Sequence, residues 1–197
     1  PTSARGPVAT LSVTINPAGS PDTVVVPSNT TFTSTVSGVT YTFRSTDSTS
    51  FIKSDAGVYN ASMVVKEGDP VQESYTVSSV SPVRYLINND SSDTTTLKVS
   101  VQQSVSNTAV QVYNLADDIT AINGNSAVYF LQENNDGAYE VEFGDNILGR
   151  KPIDGNIIKL NYNVCNGPLL NGAKIFKGPA TIAGNSSYTV VTTSSAI

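Results

Sequence analysis

An all-β fold follows from three properties of the sequence. Apolar residues recur at every second position through most of the chain, the spacing of half-buried strands. Glycine, proline, asparagine and aspartate cluster between those runs, which is turn chemistry. Charged residues are only 14% and hydrophobic residues 39% of the chain, below the usual values of about 25% and about 45–50%, the latter counting glycine. Serine, threonine and asparagine, roughly a third of the 197 residues, fill the gap. That mixture suits sheets with small polar residues on their outer faces, and it predicts two β-sandwich-like modules with at most one short helix.

The strands are read in order. Leu11, Val13 and Ile15 alternate with Ser12 and Thr14; Val39, Tyr41 and Phe43 with Thr40 and Thr42; Leu97, Val99 and Val101 with Lys98 and Ser100. Val110 and Val112 flank Gln111, and Val128 and Phe130 fall on one face. Tyr139, Val141 and Phe143 oppose Glu140 and Glu142, and Ile158, Leu160, Tyr162 and Val164 close the series. Turns are predicted at Asn16–Gly19, Val36–Gly38, Glu67–Pro70, Asn135–Gly137, Asp145-Asn146 and Asp154–Asn156. The one helical pattern runs from Leu115 to Ile122, with apolar residues three and four apart, Asn114 as a cap and Gly124 as a stop.

A composition break at Ser78-Ser79-Val80-Ser81-Pro82, with a new strand from Val83 to Ile87, places the module boundary. This divides the chain into a first β-module at 1–80, a second at 81–165, and a tail at 166–197 that returns to one of them. No repeat of 20–50 residues is visible, which disfavours solenoids and propellers.

Absences narrow the function. Histidine is missing, which removes imidazole bases, Ser-His-Asp and Cys-His pairs and histidine metal sites. The single cysteine, Cys165, cannot form an internal disulfide and fits folding in a reducing cytoplasm. A net charge of −5 argues against a nucleic-acid partner. No apolar run approaches the roughly 20 residues that span a bilayer, so no membrane partner is expected. The opening Pro1–Arg5 lacks an initiator methionine and a signal peptide, and is expected to be the start of a trimmed piece.

Candidate chemistry is thin. Glu140 and Glu142 put two carboxylates on one strand face, the raw material of a glycosidase, but the pattern is that of a solvated face opposite a buried one, and tryptophan is absent. Asp117-Asp118 and Asn88–Asp93 offer oxygen ligands for calcium without the spacing of a calcium loop. Gly144, Gly149 and Gly155 do not form a phosphate loop. Four triplets starting at Asn29, Asn60, Asn89 and Asn185 match glycosylation acceptors, as a chain this rich in serine and threonine does by chance. Cys165, with no histidine partner, reads as a small buried residue. No catalytic residue, metal site or cofactor is therefore expected.

One segment is more specific: Phe143-Gly144-Asp145-Asn146-Ile147-Leu148-Gly149-Arg150-Lys151-Pro152, followed by Gly155-Asn156-Ile157-Ile158, Tyr162 and Asn171-Gly172. A strand ends at Phe143, Gly144–Asn146 turn, Gly149 bends again, Pro152 stiffens the approach, and Asp154–Asn156 start the next strand. This resembles the phenylalanine-glycine-aspartate-glycine hairpin of the baseplate J-like family, the baseplate wedge subunits of contractile-tailed phages and related injection machines. Val24–Thr31 and Gly38–Phe43 are similar to that family's opening module. Val65–Gly68, Tyr75–Val77, Tyr85–Asn88 and Thr96–Val99 look most like T-even-type wedge proteins. The resemblance covers roughly residues 5 to 177. Asn146 stands where the family often has glycine, and the helical segments of its longer members have no counterpart here.

The resemblance implies a structural subunit of the virion, assembled in the host cytoplasm into a ring around the central hub of a sixfold baseplate. Its partners would be further copies of itself and other wedge proteins, and it brings no catalytic residues. Phe143, Gly144, Asp145, Gly149, Pro152 and Gly155 would be the structural hairpin, and Ile147 and Leu148 its contact residues. The alternative is a carbohydrate-binding or adhesion module of a tail tip or cell surface, with Tyr113, Tyr129 and Tyr139 as the aromatic candidates.

Overall fold

The computed structural model describes residues 3–78, 80 and 84–197. It is almost entirely β, with 51% of residues in strands and 3% in helical turns, arranged as sandwich- and barrel-like sheets. The chain divides into two compact units. The outer unit comprises residues 5–69 and 165–197, and the inserted unit comprises 70–164 together with the residues before Arg5.

In the outer unit, β1 (Val8–Ile15), β3 (Thr31–Val36), β4 (Val39–Ser45), β6 (Tyr59–Glu67) and β14 (Tyr188–Ser194) form an antiparallel sheet in the order β14-β1-β6-β4-β3. β2 (Thr23–Val26) and β5 (Thr49–Ile52) pair separately. The period-two pattern dictates the faces: Ala9, Leu11, Val13 and Ile15 are buried and their neighbours are not. Between β3 and β4, Ser37 and Gly38 both have positive φ (51° and 83°), the two-residue turn whose twist matches that of the paired strands. Val26, Phe51 and the tail residues Leu170, Phe176 and Ile182 share the core of this sheet. Phe176 meets Phe43 edge-on at 4.9 Å between ring centres.

The inserted unit is one seven-stranded sheet. It contains β7 (Asp69–Thr76), β8 (Arg84–Leu86), β9 (Ser92–Gln102), β10 (Val110–Leu115), β11 (Val128–Glu133), β12 (Tyr139–Phe143) and β13 (Ile157–Val164), in the order β7-β13-β9-β10-β11-β12-β8. β10 and β11 run parallel over only two residue pairs. The sheet curls until its edge strands meet: Tyr75 of β7 donates to Leu86 O at 2.5 Å, and its ring lies 5.4 Å from that of Tyr85 on β8. The interior holds Val99, Val101, Tyr113, Tyr129, Val141, Phe143, Ile158, Leu160 and Tyr162.

The module boundary differs from the sequence expectation. β7 neighbours β13, so the second unit begins at Pro70 and not after Pro82. Ser79, Ser81, Pro82 and Val83 lie outside the described residues. The tail begins at Cys165, belongs to the outer unit, and supplies β14 as the partner of β1.

The expected helix at Leu115–Ile122 does not form. Asn114 and Leu115 extend β10 into its pairing with β11, and Asp118 caps a single 3₁₀ turn at Ile119–Ala121 by accepting Thr120 N at 2.9 Å. Sheet pairing and a local Asx cap together outcompete two helical turns of modest propensity. A second 3₁₀ turn spans Gly167–Leu170.

Candidate protein interface

The segment expected to form a hairpin is a crossover loop instead, because β12 and β13, which it joins, are not neighbours in the sheet: β12 pairs with β11 and β8, and β13 lies between β7 and β9. The loop begins where β12 delivers Phe143 into the core, edge-on to Tyr113 at 5.2 Å and to Tyr85 at 5.8 Å. Gly144 follows without room for a side chain: a Cβ there would lie 2.2 Å from Gly149 O and 2.3 Å from Leu148 O. Gly149 sits at φ 91°, and its Cβ would come within 2.9 Å of Val128 Cγ2. Asn146 takes φ 71°, a conformation that asparagine visits more readily than most residues.

Side chains then lock the turn to its own backbone. Asp145 Oδ1 accepts Ile147 N and Leu148 N, both at 2.9 Å, and Asn146 Oδ1 accepts Lys151 N at 2.9 Å. The amides of Leu148 and Ile147 hold the Asp145 carboxyl below the usual aspartate range. Asn146 N donates to Gly149 O, Gly149 N to Asn123 O and Arg150 N to Ser126 O, which seats the loop against residues 123–126. Pro152 is buried, and Gly155 N donates to Val77 O at 2.9 Å. Ile147 and Leu148 are left at the surface, 74% and 45% exposed.

The other candidate groups resolve into structural roles. Arg84 bridges both carboxylates of β12, at 3.3 Å to Glu142 and 3.8 Å to Glu140, while Gln132 donates to Glu142 and Asn134 to Glu140. This is cross-strand pairing on a half-buried face, where the sequence pattern predicts a solvated one. Asp118 is occupied by Thr120, whose hydroxyl and amide hold its carboxyl below the usual range. Asn89 and Asp93 accept the amides of Ser91 and Thr95. Among the described residues no three histidine, cysteine, aspartate or glutamate side chains gather as a metal site would require. Cys165 is a free, buried thiol. Tyr113 and Tyr129 are core residues, 3% and 5% exposed, and burial pushes both phenols up. Tyr139 is half-buried, so the three tyrosines do not form an exposed stacking platform. Among the described residues no helix is long and apolar enough to cross a membrane.

Two polar features escaped sequence reasoning. Glu73 on β7 gathers Tyr162 and Asn88, and Glu67 at the end of β6 is 2% exposed and held by Asn166. Both depend on pairs 89 and 99 positions apart in the chain, which no local pattern reports. No family model and no curated protein matches the chain.

Proposed function

We propose that this chain is a structural subunit of a phage tail baseplate wedge, acting through assembly and not through catalysis. The reading is carried by the loop from Gly144 to Gly149. Its sequence resembles the hairpin of the baseplate J-like family, and it presents Ile147 and Leu148 on a turn already fixed by Asp145 and Asn146. A contact element that is ordered before binding loses little conformational entropy when it docks. Low charge across the chain also suits surfaces that become interface cores. In this reading the partners are further copies in a ring around the hub and the neighbouring wedge proteins, and the site of action is the virion's contractile tail.

The decisive experiment pairs thermal melting with co-sedimentation against the other wedge proteins. Leu148→Asp and Ile147→Asp are expected to leave the melting temperature within a few degrees and to weaken assembly by at least about tenfold, the loss of one buried apolar anchor. Unfolding of the isolated chain would make the tip a core element. Unchanged assembly would remove the loop from the interface and with it the support for this reading.

A further inference from the structure

The strand β10 carries an open edge that the alternation in the sequence does not reveal. Gln103 N donates to Ala109 O at 3.0 Å, and the β9–β10 register pairs Val110 with Gln102 and Val112 with Ser100. In an antiparallel pair every second residue turns its backbone groups to the partner strand. Gln111 and Tyr113 therefore bond towards β9, while Val110 and Val112 direct theirs to the opposite side. Pairing with β11 begins only at Asn114, whose amide donates to Ala127 O. The amides of Val110 and Val112 find no partner among the described residues, and their side chains are 51% and 58% exposed.

Beside this edge lies a groove of about 420 Å³ to which Val110, Tyr113, Arg150, Lys151 and Ile153 all contribute. The Tyr113 ring is buried while the residue also lines the groove, and its hydroxyl makes no hydrogen bond among the described residues and is not sealed from solvent. Arg150 and Lys151 are exposed and form no salt bridge there, in a chain whose net charge is −5. Asp145, whose carboxylate interacts with the Lys151 charge, is already committed to two backbone amides.

We infer that the open edge of β10, with the Arg150–Lys151 pair above it, docks an extended acidic segment of a partner protein by strand addition. The free amides at Val110 and Val112 supply main-chain pairing, the two cations select acidic side chains, and the Tyr113 hydroxyl supplies one donor inside the groove. An acidic occupant is favoured over a second copy because Arg150 forms no ion pair among the described residues, and Asp145, the carboxylate that acts on Lys151, is already held by two backbone amides. A second copy would bring a net charge of −5 spread over its surface and not an extended acidic strand. This inference stands apart from the baseplate reading, since it names a partner's chemistry and not the assembly.

The test uses the full chain and a blocked synthetic peptide in which Glu and Val alternate, with a Lys-for-Glu counterpart as control. The acidic peptide is expected to bind at least about tenfold more tightly than the basic one, with affinity falling as salt rises. Binding should slow hydrogen exchange at the Val110 and Val112 amides. Val112→Pro deletes an outward-facing N–H, a change that edge strands tolerate, and should abolish binding with the melting temperature retained. The double variant Arg150→Glu, Lys151→Glu should reverse the preference between peptides, and it decides the matter if the proline variant does not fold. Equal binding of the two peptides, or binding of neither, overturns the inference. So does full binding to folded Val112→Pro, displacement of the peptide by glutarate at equal carboxylate concentration, or a self-associated dimer that Val112→Pro dissolves.

Discussion

Tyr162 donates its phenolic hydrogen to Glu73 Oε1 at 2.5 Å, joining β13 to β7 by side chains as well as backbone. The same carboxylate reaches across to the far edge of the sheet. Its Oε1 accepts Asn88 N at 3.1 Å and its Oε2 accepts Asn88 Nδ2 at 3.2 Å, just beyond β8. Tyr75 directs its one hydroxyl hydrogen to Leu86 O and accepts from Asn88 Nδ2 at 2.8 Å. The two edges of the curled sheet thus close through side chains where, among the described residues, no ladder of backbone bonds joins them.

This closure predicts a loss of stability in alkali. Burial and the Glu73 charge push Tyr75 up to about 12, and burial with the Glu73 hydrogen bond raises Tyr162 further. A phenol whose folded pKa lies above its unfolded value of about 10 releases its proton more readily in the unfolded chain. The stabilisation is therefore complete below pH ~10 and declines as the pH rises from ~10 through the folded values. Urea melts across that range should show the decline, and Tyr162→Phe should reduce it while costing about 1.5–3 kcal/mol at neutral pH through the lost bond to a carboxylate. An alkaline profile that Tyr162→Phe leaves unchanged would place the titrating group elsewhere.

The loop from β12 to β13 supplies a graded series. Gly144→Ala must displace the carbonyls of Gly149 and Leu148, and Gly149→Val adds a β-branched side chain at φ 91° against Val128. Each is expected to cost about 1–3 kcal/mol, Gly144→Ala through the clash with those carbonyls and Gly149→Val through backbone strain. Phe143→Ala removes a ring shared by Tyr85 and Tyr113 and is expected to cost about 3–5 kcal/mol. Equilibrium denaturation checks the ranking. A glycine variant as stable as the parent would mean that the turn relaxes to another geometry.

The sequence carries the strands more faithfully than their facing. Leu11, Val13 and Ile15, and later Ile158, Leu160 and Tyr162, are buried as their alternation predicts, because each lies on a strand with one core face. At β10 the same rule points the wrong way. Val110 and Val112 face outwards while Tyr113 is buried, and in β11 Tyr129 is buried in preference to Val128 and Phe130. A valine weighs little against a tyrosine ring that can reach the core, and two valines in a short strand do not fix a register. The module boundary was hidden for a related reason. Gly68 lies between β6 and β7 and marks the change of unit, yet a glycine between two strands reads equally well as an ordinary hairpin. The turns between Phe143 and Gly155 are legible because glycine, asparagine and proline report backbone geometry directly, but nothing local shows that β12 and β13 do not pair, and the polar clusters at Glu73 and Glu67 likewise join residues distant in the chain.

Acid should loosen the Gly144–Gly149 loop before it unfolds the protein. The amides of Leu148 and Ile147 hold Asp145 below the usual aspartate range, so the carboxylate's contribution is complete above the unfolded value of about 3.9. It is lost as the pH falls through the lower folded value. NMR should find the Asp145 carboxyl titrating below an unstructured aspartate, with the Ile147 and Leu148 amide resonances moving in step. Asp145→Ala should remove that coupled titration and leave the strands intact. Amides that shift with an ordinary aspartate midpoint would mean that the turn is open in solution.

Glu67 tests whether a buried carboxylate secures the return of the chain to the outer unit. It is 2% exposed at the end of β6, and Asn166, just after the chain re-enters that unit, donates its backbone N to Oε2 at 3.0 Å and its Nδ2 to Oε1 at 2.7 Å. Glu67→Ala strands both donors and leaves a cavity, with an expected cost of about 1.5–3 kcal/mol. Glu67→Gln keeps the shape and one acceptor, and the Asn166 amide can turn its oxygen towards the new NH₂ group, so a smaller loss is expected. Asn166→Asp places a second negative charge against the first and is expected to be the most damaging of the three, since neither carboxylate would then have a cation to balance it. Urea denaturation at neutral pH orders the variants. If Glu67→Gln is as harmful as Glu67→Ala, the carboxylate's charge and second acceptor, and not volume, decide the site. If Asn166→Asp is neutral, the segment after Cys165 does not depend on this contact for its position.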